Sequence, residues 1–553
     1  MTALTMSDVL AEHSVELAED TACIFLDERG QETDCVTYAE LFKRASSFAA
    51  RLARYEAQAR IVIIIPTSLD FPVVLFGCFL AGKIAVPLAV PNNHRISEML
   101  SMLDDCQPSC IVTTSAIRNA LRPKFASTRW QSLEMIAVEE LTFEEKPSDC
   151  CVPQDAIALL QYTSGSTSIP KGVIVRHSNI MANERMIQDA FGLDRTATVV
   201  GWTPLHHDQG LIGNLLQSLY VGTKCVLMPP IAFLRSPLLW LQTITKYQAH
   251  TSGGPNFAFD LCVARYRPSD ALGLDLSSWK VAFNGAEPIC ASTIRRFAGT
   301  FEPHGFSPEA MFPCYGMAEA TLFVSGGPAR KGATFFDANE SGHHAGGTEL
   351  VCSGAVHKDM SILIYRTPGD ELSTDARTGE ICIAGPNVTT GYWNLQSDDF
   401  IFDESSGVRY LRTGDIGFLR DEGLYITGRR KELMIVRGRN IYPYDIERTI
   451  AESHQHFQKG ACAVFSSTRE GVGEEVFAVQ EVERSARHKL LYEEVAGLVK
   501  KNVVRNHDVM LKRLYFVTPG FIPRTTSGKI KRTQLAQLVH DRPSDREGVL
   551  AEC

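Results

Sequence analysis

Short runs of apolar, β-branched residues alternate with longer helical stretches over the first 300 or so residues. RIVIII (60–65), AVPLAV (85–90) and AIALLQ (156–161) predict strands, and the apolar run FPVVLFGCFLAG (71–82) predicts a buried helix. Later runs of the strand type are CIVTT (110–114), EMIAV (134–138), CVLMP (225–229) and WKVAFNG (279–285). Strands that alternate with helices predict parallel sheets covered on both faces, with ligands bound at the carboxyl ends of the strands.

The pattern changes at about residue 351. Closely spaced strands and turns, such as SILIY, GEICIAG and LYITG, predict a small β-rich subdomain over about 351–428. A last unit contains the strands KGACAVFS and EEVFAVQEVE and the helix-like stretch ARHKLLYEEVAGLVKKNVV. The junction GRRKELMIVRGRN is rich in Gly and Arg and lacks proline, which favours a hinge over a loose linker. The predicted fold is therefore α/β, with a large N-terminal domain over 1–428 and a small mobile α+β C-terminal domain over 429–553.

Composition narrows the classes of partner. The 553 residues are 44% hydrophobic and 22% charged, with a net charge of −9, which gives no electrostatic case for binding nucleic acid or anionic membranes. The apolar run 71–82 is shorter than the ~20 residues that span a bilayer, so no transmembrane segment is predicted. The fifteen cysteines lack C-x-x-C pairs and zinc-type spacing, and the acidic first twenty residues lack an apolar core. These features predict reduced thiols and a cytoplasmic protein.

A loop rich in hydroxyl groups follows the strand AIALLQ and has the sequence YTSGSTSIPKG (162–172). It is not the phosphate loop of nucleotide hydrolases, because Pro170 precedes Lys171 and Gly172 follows it where that motif needs Gly and Ser/Thr. Its hydroxyls and backbone N–H groups can still surround a polyphosphate whose charge Lys171 offsets. An ordinary polar loop is the alternative interpretation of these residues taken alone.

Seven motifs occur in a fixed order, of which this loop is the first. The others are PLHHDQG (204–210), NGAEP (284–288), YGMAE (315–319), RTGD (412–415), GRRKE (428–432) and PRTTSGKIKR (523–532). Over nearly its full length the chain resembles the adenylate-forming superfamily of acyl-CoA synthetases, adenylation domains and luciferases. NGAEP, YGMAEATLF and RGRNIYP most resemble the fatty acyl-AMP ligases. The resemblance implies that ATP and Mg²⁺ activate a fatty or related carboxylic acid to acyl-AMP. The acyl group then passes to the phosphopantetheine thiol of a holo acyl carrier protein.

The resemblance also implies a nucleotide site. The β- and γ-phosphates would lie against Thr163, Ser164, Gly165, Ser166, Thr167 and Lys171. The adenine slot would lie between Gly285, Ala286 and Glu287 on one side and Tyr315 and Gly316 on the other, with Met317 in the same site. Glu319 would hold Mg²⁺ as a hard oxygen ligand, and Asp415 would accept hydrogen bonds from the ribose hydroxyls with support from Arg429. Taken singly, an Asp in RTGD is more often a turn residue and Tyr315 could be core.

Catalytic and hinge roles are implied in the same way. Lys529 would contact the substrate carboxylate and the α-phosphate, and Lys431 would be the pivot of the C-terminal domain. His207 would have a gating role between the phosphate loop and the acyl carboxylate. A metal role for His206 and His207 is not favoured, because a zinc site needs three or four ligands and no partner cluster is evident. His206 also stands where related ligases more often carry an aromatic residue.

Two departures from the wider superfamily bear on the acceptor. Position 318 is Ala, as is common in the fatty acyl-AMP ligases, where many other relatives have Thr. Residues 326–354 coincide with the insertion that in those ligases restrains the C-terminal domain and disfavours CoA. An acyl-CoA synthetase is the alternative enzyme, and an adenylate-binding protein without turnover is the alternative from another class. Lys171, Glu319, Asp415 and Lys529 argue against the latter.

Overall fold

The computed structural model describes residues 4–91, 95–142, 152–163, 170–337, 349–366, 378–436, 439–469, 473–524, 530–540 and 548–553. In this part of the chain, the N-terminal α/β region contains fourteen strands. In chain order they are β1 Thr21–Leu26, β2 Glu32–Thr37, β3 Arg60–Ile64, β4 Ile84–Pro87, β5 Cys110–Thr113, β6 Glu134–Ala137, β7 Ile157–Thr163, β8 Lys171–Arg176, β9 Thr198–Gly201, β10 Lys224–Leu227, β11 Thr251–Gly254, β12 Val281–Asn284, β13 Met311–Gly316 and β14 Phe323–Gly326.

Helices connect most of these strands. They are α1 Met6–Glu16, α2 Tyr38–Leu52, α3 Asp70–Leu80, α4 Ile96–Cys106, α5 Ser115–Phe125, α6 His177–Phe191, α7 Asp208–Gly210, α8 Gln217–Val221, α9 Pro230–Arg235, α10 Pro237–Tyr247, α11 Asn256–Arg265 and α12 Ala291–Phe301. A π-helical segment, Leu211–Leu216, lies between α7 and α8. The apolar run at 71–82 is the helix α3, in which Phe71, Phe76 and Phe79 are fully buried.

Two sheets organise this region. The described strands form an eight-stranded sheet, in the order β14-β13-β12-β11-β9-β10-β1-β2, and a six-stranded sheet, in the order β6-β5-β3-β4-β7-β8. The pairs inside each sheet are parallel, and the edge strands β2, β14 and β8 are antiparallel. One apolar core between the sheets contains α2 and α3, while α4 and α5 cover one outer face and α10 to α12 the other. The prediction of parallel sheets covered on both faces is confirmed.

The β-rich part follows. Its strands are β15 Phe335–Asp337, β16 Glu349–Ala355, β17 Ser361–Tyr365, β18 Gly379–Ala384, β19 Phe400–Asp403, β20 Val408–Arg420 and β21 Gly423–Arg429. They form one antiparallel sheet, in the order β15-β16-β21-β20-β18-β17, with β19 paired to β20. The described ends of the predicted insertion, β15 and β16, are therefore strands of this sheet.

The smaller C-terminal domain is α+β, as predicted. Its described elements are the hairpin β22 Met434–Val436 and β23 Arg439–Ile441, the sheet strands β24 Phe457–Arg469, β25 Gly473–Val482, β26 Leu511–Val517 and β27 Val549–Glu552, and the helices α13 Pro443–Glu452, α14 Tyr492–His507 and α15 Arg532–His540.

The helix predicted from residue 486 begins at Tyr492 instead. Residues before it form turns, in which Lys489 N donates to Ala486 O and the Tyr492 hydroxyl donates to Arg487 O. Glu493 and Glu494 then occupy the first turn of α14, where the helix dipole favours negative charge. No helix in the described part of the chain is long and apolar enough to cross a membrane.

Candidate active site

The motifs converge where strands of the two large sheets end. Thr163 is the last residue of β7, the His206–His207 pair follows β9, Gly285 follows β12, and Gly316 ends β13. The Gln161 side chain links the two sheets here, because its Nε2 donates to the His206 carbonyl at 2.8 Å. The predicted residues Ser164, Gly165, Ser166, Thr167 and Lys529 lie outside the described residues.

Asp415 is the centre of a hydrogen-bonded group at the predicted ribose position. The Tyr315 hydroxyl donates to its Oδ2 at 2.6 Å, and Nε of Arg429 lies 2.9 Å from its Oδ1. Asp415 is buried on β20, directly opposite Arg429 on β21. Burial and the Asp415 charge raise the pKa of Tyr315, and the same charge raises the pKa of Arg429. Two donors therefore orient the carboxylate, and its remaining lone pairs are available to further donors.

Glu319 and Lys171 are connected through Tyr392. The Tyr392 hydroxyl donates to Oε1 of Glu319 at 3.1 Å, and Nζ of Lys171 lies 4.6 Å from the centre of the Tyr392 ring. Lys171 also forms an ion pair with Asp399 at 3.2 Å. Burial raises the pKa of Glu319, against the effect of the Tyr392 hydrogen bond. Glu319 of YGMAE and Lys171 of the hydroxyl-rich loop therefore both contact the side chain of Tyr392.

The predicted adenine slot is built from closely packed backbone. A Cβ on Gly316 would lie 2.0 Å from the Leu322 carbonyl oxygen, and one on Gly285 would lie 2.9 Å from Sγ of Cys314. Ala286 adopts the left-handed conformation with φ 69°, which is uncommon for a residue other than glycine and concentrates at functional sites. On the other side of the slot, Met317 follows Gly316, and its N donates to the Leu322 carbonyl at 2.8 Å. Both glycines are thus required by the packing between strand ends.

Glu287 has a structural contact that the sequence does not reveal. Its Oε1 accepts a 2.6 Å hydrogen bond from the backbone N–H of Phe257, in the first turn of α11. A carboxylate there satisfies a helix N–H that has no partner within the helix. The side chain of Glu287 therefore fixes the start of α11 beside the slot.

The histidine pair lines a small cavity. The two rings lie 4.5 Å apart between centroids, and Nε2 of His206 is buried without a hydrogen-bond partner. Burial lowers the pKa of His206 well below its ordinary value, and the charges of His207 and Arg95 act in the same direction. Both rings face the cavity. The other lining residues lie at the end of β4 and just after it, on α4, on β7 and just before β8, namely Pro87, Leu88, Ala89, Glu98, Met102, Tyr162, Thr163 and Pro170.

The C-terminal domain contacts the rim of this cavity. Nη2 of Arg95 donates to the Arg524 carbonyl at 2.9 Å, and Nζ of Lys531 lies 3.7 Å from Oε2 of Glu98. Arg524 and Ile530 form an antiparallel bridge, so the described residues on both sides of 525–529 lie together at this rim. Lys529 belongs to the segment between them.

The junction is held by ion pairs of Arg532. This side chain bonds Glu447 of α13 at 2.9 Å and Glu432 of the GRRKE motif at 3.0 Å. Lys431 lies in the short 3₁₀ turn Arg430–Glu432 between β21 and β22. The C-terminal domain also contacts the motif NGAEP, because the Tyr444 hydroxyl of α13 donates to the Pro288 carbonyl at 3.5 Å.

Four of the residues that build the site are absent from the sequence predictions: Tyr392, Asp399, Arg95 and Glu98. They lie outside the motifs, and no local spacing marks them, because their relation to Lys171, Glu319 and the 523–532 motif exists only after folding. In the described part of the chain no group of three or more His, Cys, Asp or Glu side chains could hold a metal ion.

Comparison with known proteins identifies the family. A family model described as AMP-binding enzyme matches residues 10–393, which is more than half of the chain. The chain belongs to the AMP-binding enzyme family. A second model, described as the AMP domain of Disco-interacting protein 2-like proteins, matches residues 431–542 of this AMP-binding enzyme.

Full-length relatives agree with this assignment. The AMP-binding enzyme is 35% identical to the medium-chain-fatty-acid–[acyl-carrier-protein] ligase JamA of Moorena producens, over 96% of this chain and 94% of the relative. A solved structure from a study of fatty acyl-adenylate ligases from E. coli and L. pneumophila superposes with a TM-score of 0.86, at 30% identity and 98% coverage of both chains. The L. pneumophila fatty acyl-adenylate ligase in complex with acyl adenylate and pyrophosphate gives a TM-score of 0.75 at 32% identity, over 100% of this chain and 98% of that one. The resemblance to adenylate-forming enzymes is confirmed.

Proposed function

We propose that this enzyme converts a fatty or related carboxylic acid and ATP to acyl-AMP and pyrophosphate. It then passes the acyl group to the phosphopantetheine thiol of an acyl carrier protein. In the first step a substrate carboxylate oxygen bonds to the α-phosphorus as the bond to the β-phosphate oxygen breaks. In the second step the thiol attacks the acyl carbonyl and AMP leaves. Two observations carry the proposal. Tyr392 lies between Glu319 and Lys171, and the charges of Asp415 and Glu319 both act on Arg429, so the three predicted residues belong to one site. The chain is also similar over 96% of its length to a fatty acid ligase.

The residues of the site suit the charges of this reaction. Phosphoryl transfer depends mainly on positioning and on charge stabilisation. We assign Lys171, with Thr163, Ser164, Gly165, Ser166 and Thr167, to the β- and γ-phosphates. Asp415 accepts hydrogen bonds from the ribose while Tyr315 and Arg429 hold its carboxylate in place.

Adenine is assigned to the slot formed by Gly285, Ala286 and Glu287 on one side and Tyr315 and Gly316 on the other, with Met317 in the same site. Close approach of the strand ends leaves no room for a Cβ at either glycine, which suits the edge of a slot for a flat ring. His207, on the cavity beside Thr163, is assigned the gating role toward the acyl carboxylate.

Mg²⁺ fits Glu319. Its carboxylate receives one hydrogen bond from Tyr392, and a hard divalent ion would complete its coordination with phosphate oxygens and water. When bound, the ion supplies positive charge to the phosphate oxygens. Tyr392 orients the carboxylate toward that position.

We further propose that Lys529 contacts the reacting carboxylate and α-phosphate. In this proposal Lys431 is the pivot between domains that span 1–428 and 429–553, and the insertion 326–354 disfavours CoA as acceptor. A cytoplasmic location is part of the proposal, because ATP and reduced thiols are found there and every described cysteine is a free thiol.

Acid-dependent exchange of pyrophosphate into ATP tests the first step. Acids of graded chain length are compared, with Lys529→Ala as the control variant. We expect exchange with one range of chain lengths and a loss of about 10²–10³-fold in the variant, the usual effect of removing one transition-state contact. ATP binding should survive in Lys529→Ala. Absence of exchange with every acid would contradict the proposal.

A further inference from the structure

Two side chains at the start of α4 connect the large N-terminal domain to the motif that carries Lys529. Arg95 precedes the helix and donates to the Arg524 carbonyl at 2.9 Å, and Glu98 in its first turn forms the 3.7 Å ion pair with Lys531. We call Arg95 and Glu98 the α4 anchor. Both side chains of the ion pair are partly shielded, with 31% of Lys531 and 23% of Glu98 exposed.

The α4 anchor lies at the site itself. Glu98 lines the same cavity as Thr163, His206 and His207. On the other domain, the Arg524–Ile530 bridge and the 2.8 Å hydrogen bond from Lys531 N to the Pro523 carbonyl hold both ends of the motif together. A contact to Arg524 and a contact to Lys531 therefore fix this motif at two points beside the cavity.

We propose that Arg95 and Glu98 are positioning residues that hold the C-terminal domain in the orientation in which the acid is adenylated. The inference rests on the proposed function, in which Lys529 acts in the first step and the domain turns before the second. Because the contacts from α4 to Arg524 and Lys531 join the two domains, a turn of the C-terminal domain would break them. They therefore favour adenylation over thiol transfer, and they act through the motif without contacting the reacting atoms.

Charge reversal separates this role from general stabilisation. Glu98→Lys and Lys531→Glu each replace attraction with repulsion, and the double variant restores an ion pair of opposite polarity. Two rates are measured: acid-dependent pyrophosphate exchange, and transfer from supplied acyl-AMP to a holo carrier protein. Asp104→Lys is the matched control. Asp104 lies on the same helix, but its contacts, the 2.7 Å pair with Arg129 and the hydrogen bond from Trp130, stay within the N-terminal domain.

Each single variant should slow pyrophosphate exchange by about five- to tenfold, as expected for an ion pair of this exposure replaced by like charges. Transfer from supplied acyl-AMP should remain within about twofold or increase, a range set by the same exposed-pair energies. The double variant should recover most of the exchange rate, and Asp104→Lys should change neither rate. Equal loss in both steps, or no recovery in the double variant, would overturn the proposal.

A readout without substrate keeps the α4 anchor testable if the proposed function fails. In the single variants, limited proteolysis of the ligand-free enzyme should cut the junction 429–441 faster than in the wild type, and the double variant should restore resistance. Unchanged cleavage in Glu98→Lys and in Arg95→Ala would overturn the anchor. A wild-type enzyme that exchanges no pyrophosphate with any acid would instead overturn the proposed function.

Discussion

The hydroxyl of Tyr315 lies 2.6 Å from Oδ2 of Asp415, although the two residues are 100 positions apart in the chain. Tyr315 is the second-last residue of β13 in the eight-stranded sheet, whereas Asp415 belongs to the β-rich sheet. Their hydrogen bond therefore joins two layers at the point where we place the ribose. Arg429 fixes the other oxygen of the same carboxylate at 2.9 Å.

Removing the charge of Asp415 should weaken nucleotide binding. Asp415→Asn keeps the shape of the side chain but loses charge-assisted hydrogen bonds, each worth about 1.5–3 kcal/mol. We expect ATP affinity to fall by about tenfold or more, the fold-change that corresponds to this energy. Tyr315→Phe, which only releases the orientation of the carboxylate, should have a smaller effect. Equilibrium binding of ATP checks both variants, and wild-type affinity in Asp415→Asn would contradict the ribose assignment.

Asp399 should compete with phosphate for Lys171. Hydrogen bonds from Ser397 and Lys171 lower the pKa of Asp399 despite the opposing effect of burial, which keeps the competing charge in place. Asp399→Asn should therefore increase ATP affinity by up to about fivefold, the limit for an ion pair with 28% and 41% of its side chains exposed. Asp403→Asn is the control, because Asp403 ends β19 and its side chain bonds only Ser405 and Ser406 among the described side chains. Weaker ATP binding in Asp399→Asn would mean that Asp399 itself supports the nucleotide site.

Glu184 should make the stability of the N-terminal domain depend on pH. It is fully buried on α6, burial raises its pKa well above the ordinary value, and the Gln217 amide donates to its Oε2. Above about pH 4.3 the unfolded chain loses this proton while the native protein retains it. The free energy of unfolding therefore falls as pH rises, by up to about 1.4 kcal/mol per pH unit until the native group titrates.

Glu184→Gln removes this dependence. Unfolding midpoints are compared at about pH 5.5 and about pH 7.5, both above the ordinary Glu pKa of about 4.3. The stability of Glu184→Gln relative to the wild type should be greater at the higher pH. The exposed Glu19→Gln provides the control. An advantage that stays constant or shrinks as pH rises would show that Glu184 is not a retained proton site.

The insertion can be shortened without removing strand β15. Asp337 and Glu349 are paired across β15 and β16, and Phe336 packs against Phe418 and Tyr425. Residues 338–348 can therefore be replaced by Asn-Gly, which closes a two-residue hairpin between paired strands. The variant should keep acid-dependent pyrophosphate exchange and form more acyl-CoA than the wild type. The yield of acyl-CoA is measured by mass spectrometry. An unchanged yield would show that residues 338–348 do not determine whether CoA is used as the acceptor.

Much of the fold follows from local sequence. Continuous apolar runs such as 60–65 and 71–82 specify buried strands and a buried helix, because every face of those segments meets the core. The first residue of α14 was predicted wrongly, because the turns at 486–491 are built from hydrogen bonds that the hydrophobic periodicity does not reveal. Chemistry-bearing residues inside motifs were predictable, whereas Tyr392 and Asp399 were not. Asp399 and Lys171 are 228 positions apart in the chain. They meet because the start of β19 in the β-rich sheet lies beside the start of β8 in the six-stranded sheet.

The central claim is that this enzyme forms an acyl-adenylate and delivers the acyl group to a carrier protein. The most direct test gives the wild-type enzyme a fatty acid, ATP and Mg²⁺, then offers a holo carrier protein and free CoA together, and measures both thioesters over time by mass spectrometry. We predict that acyl-AMP forms first and that the thioester accumulates on the carrier protein, with little acyl-CoA. Rapid formation of acyl-CoA at the rate of adenylation, with none on the carrier protein, would contradict the account.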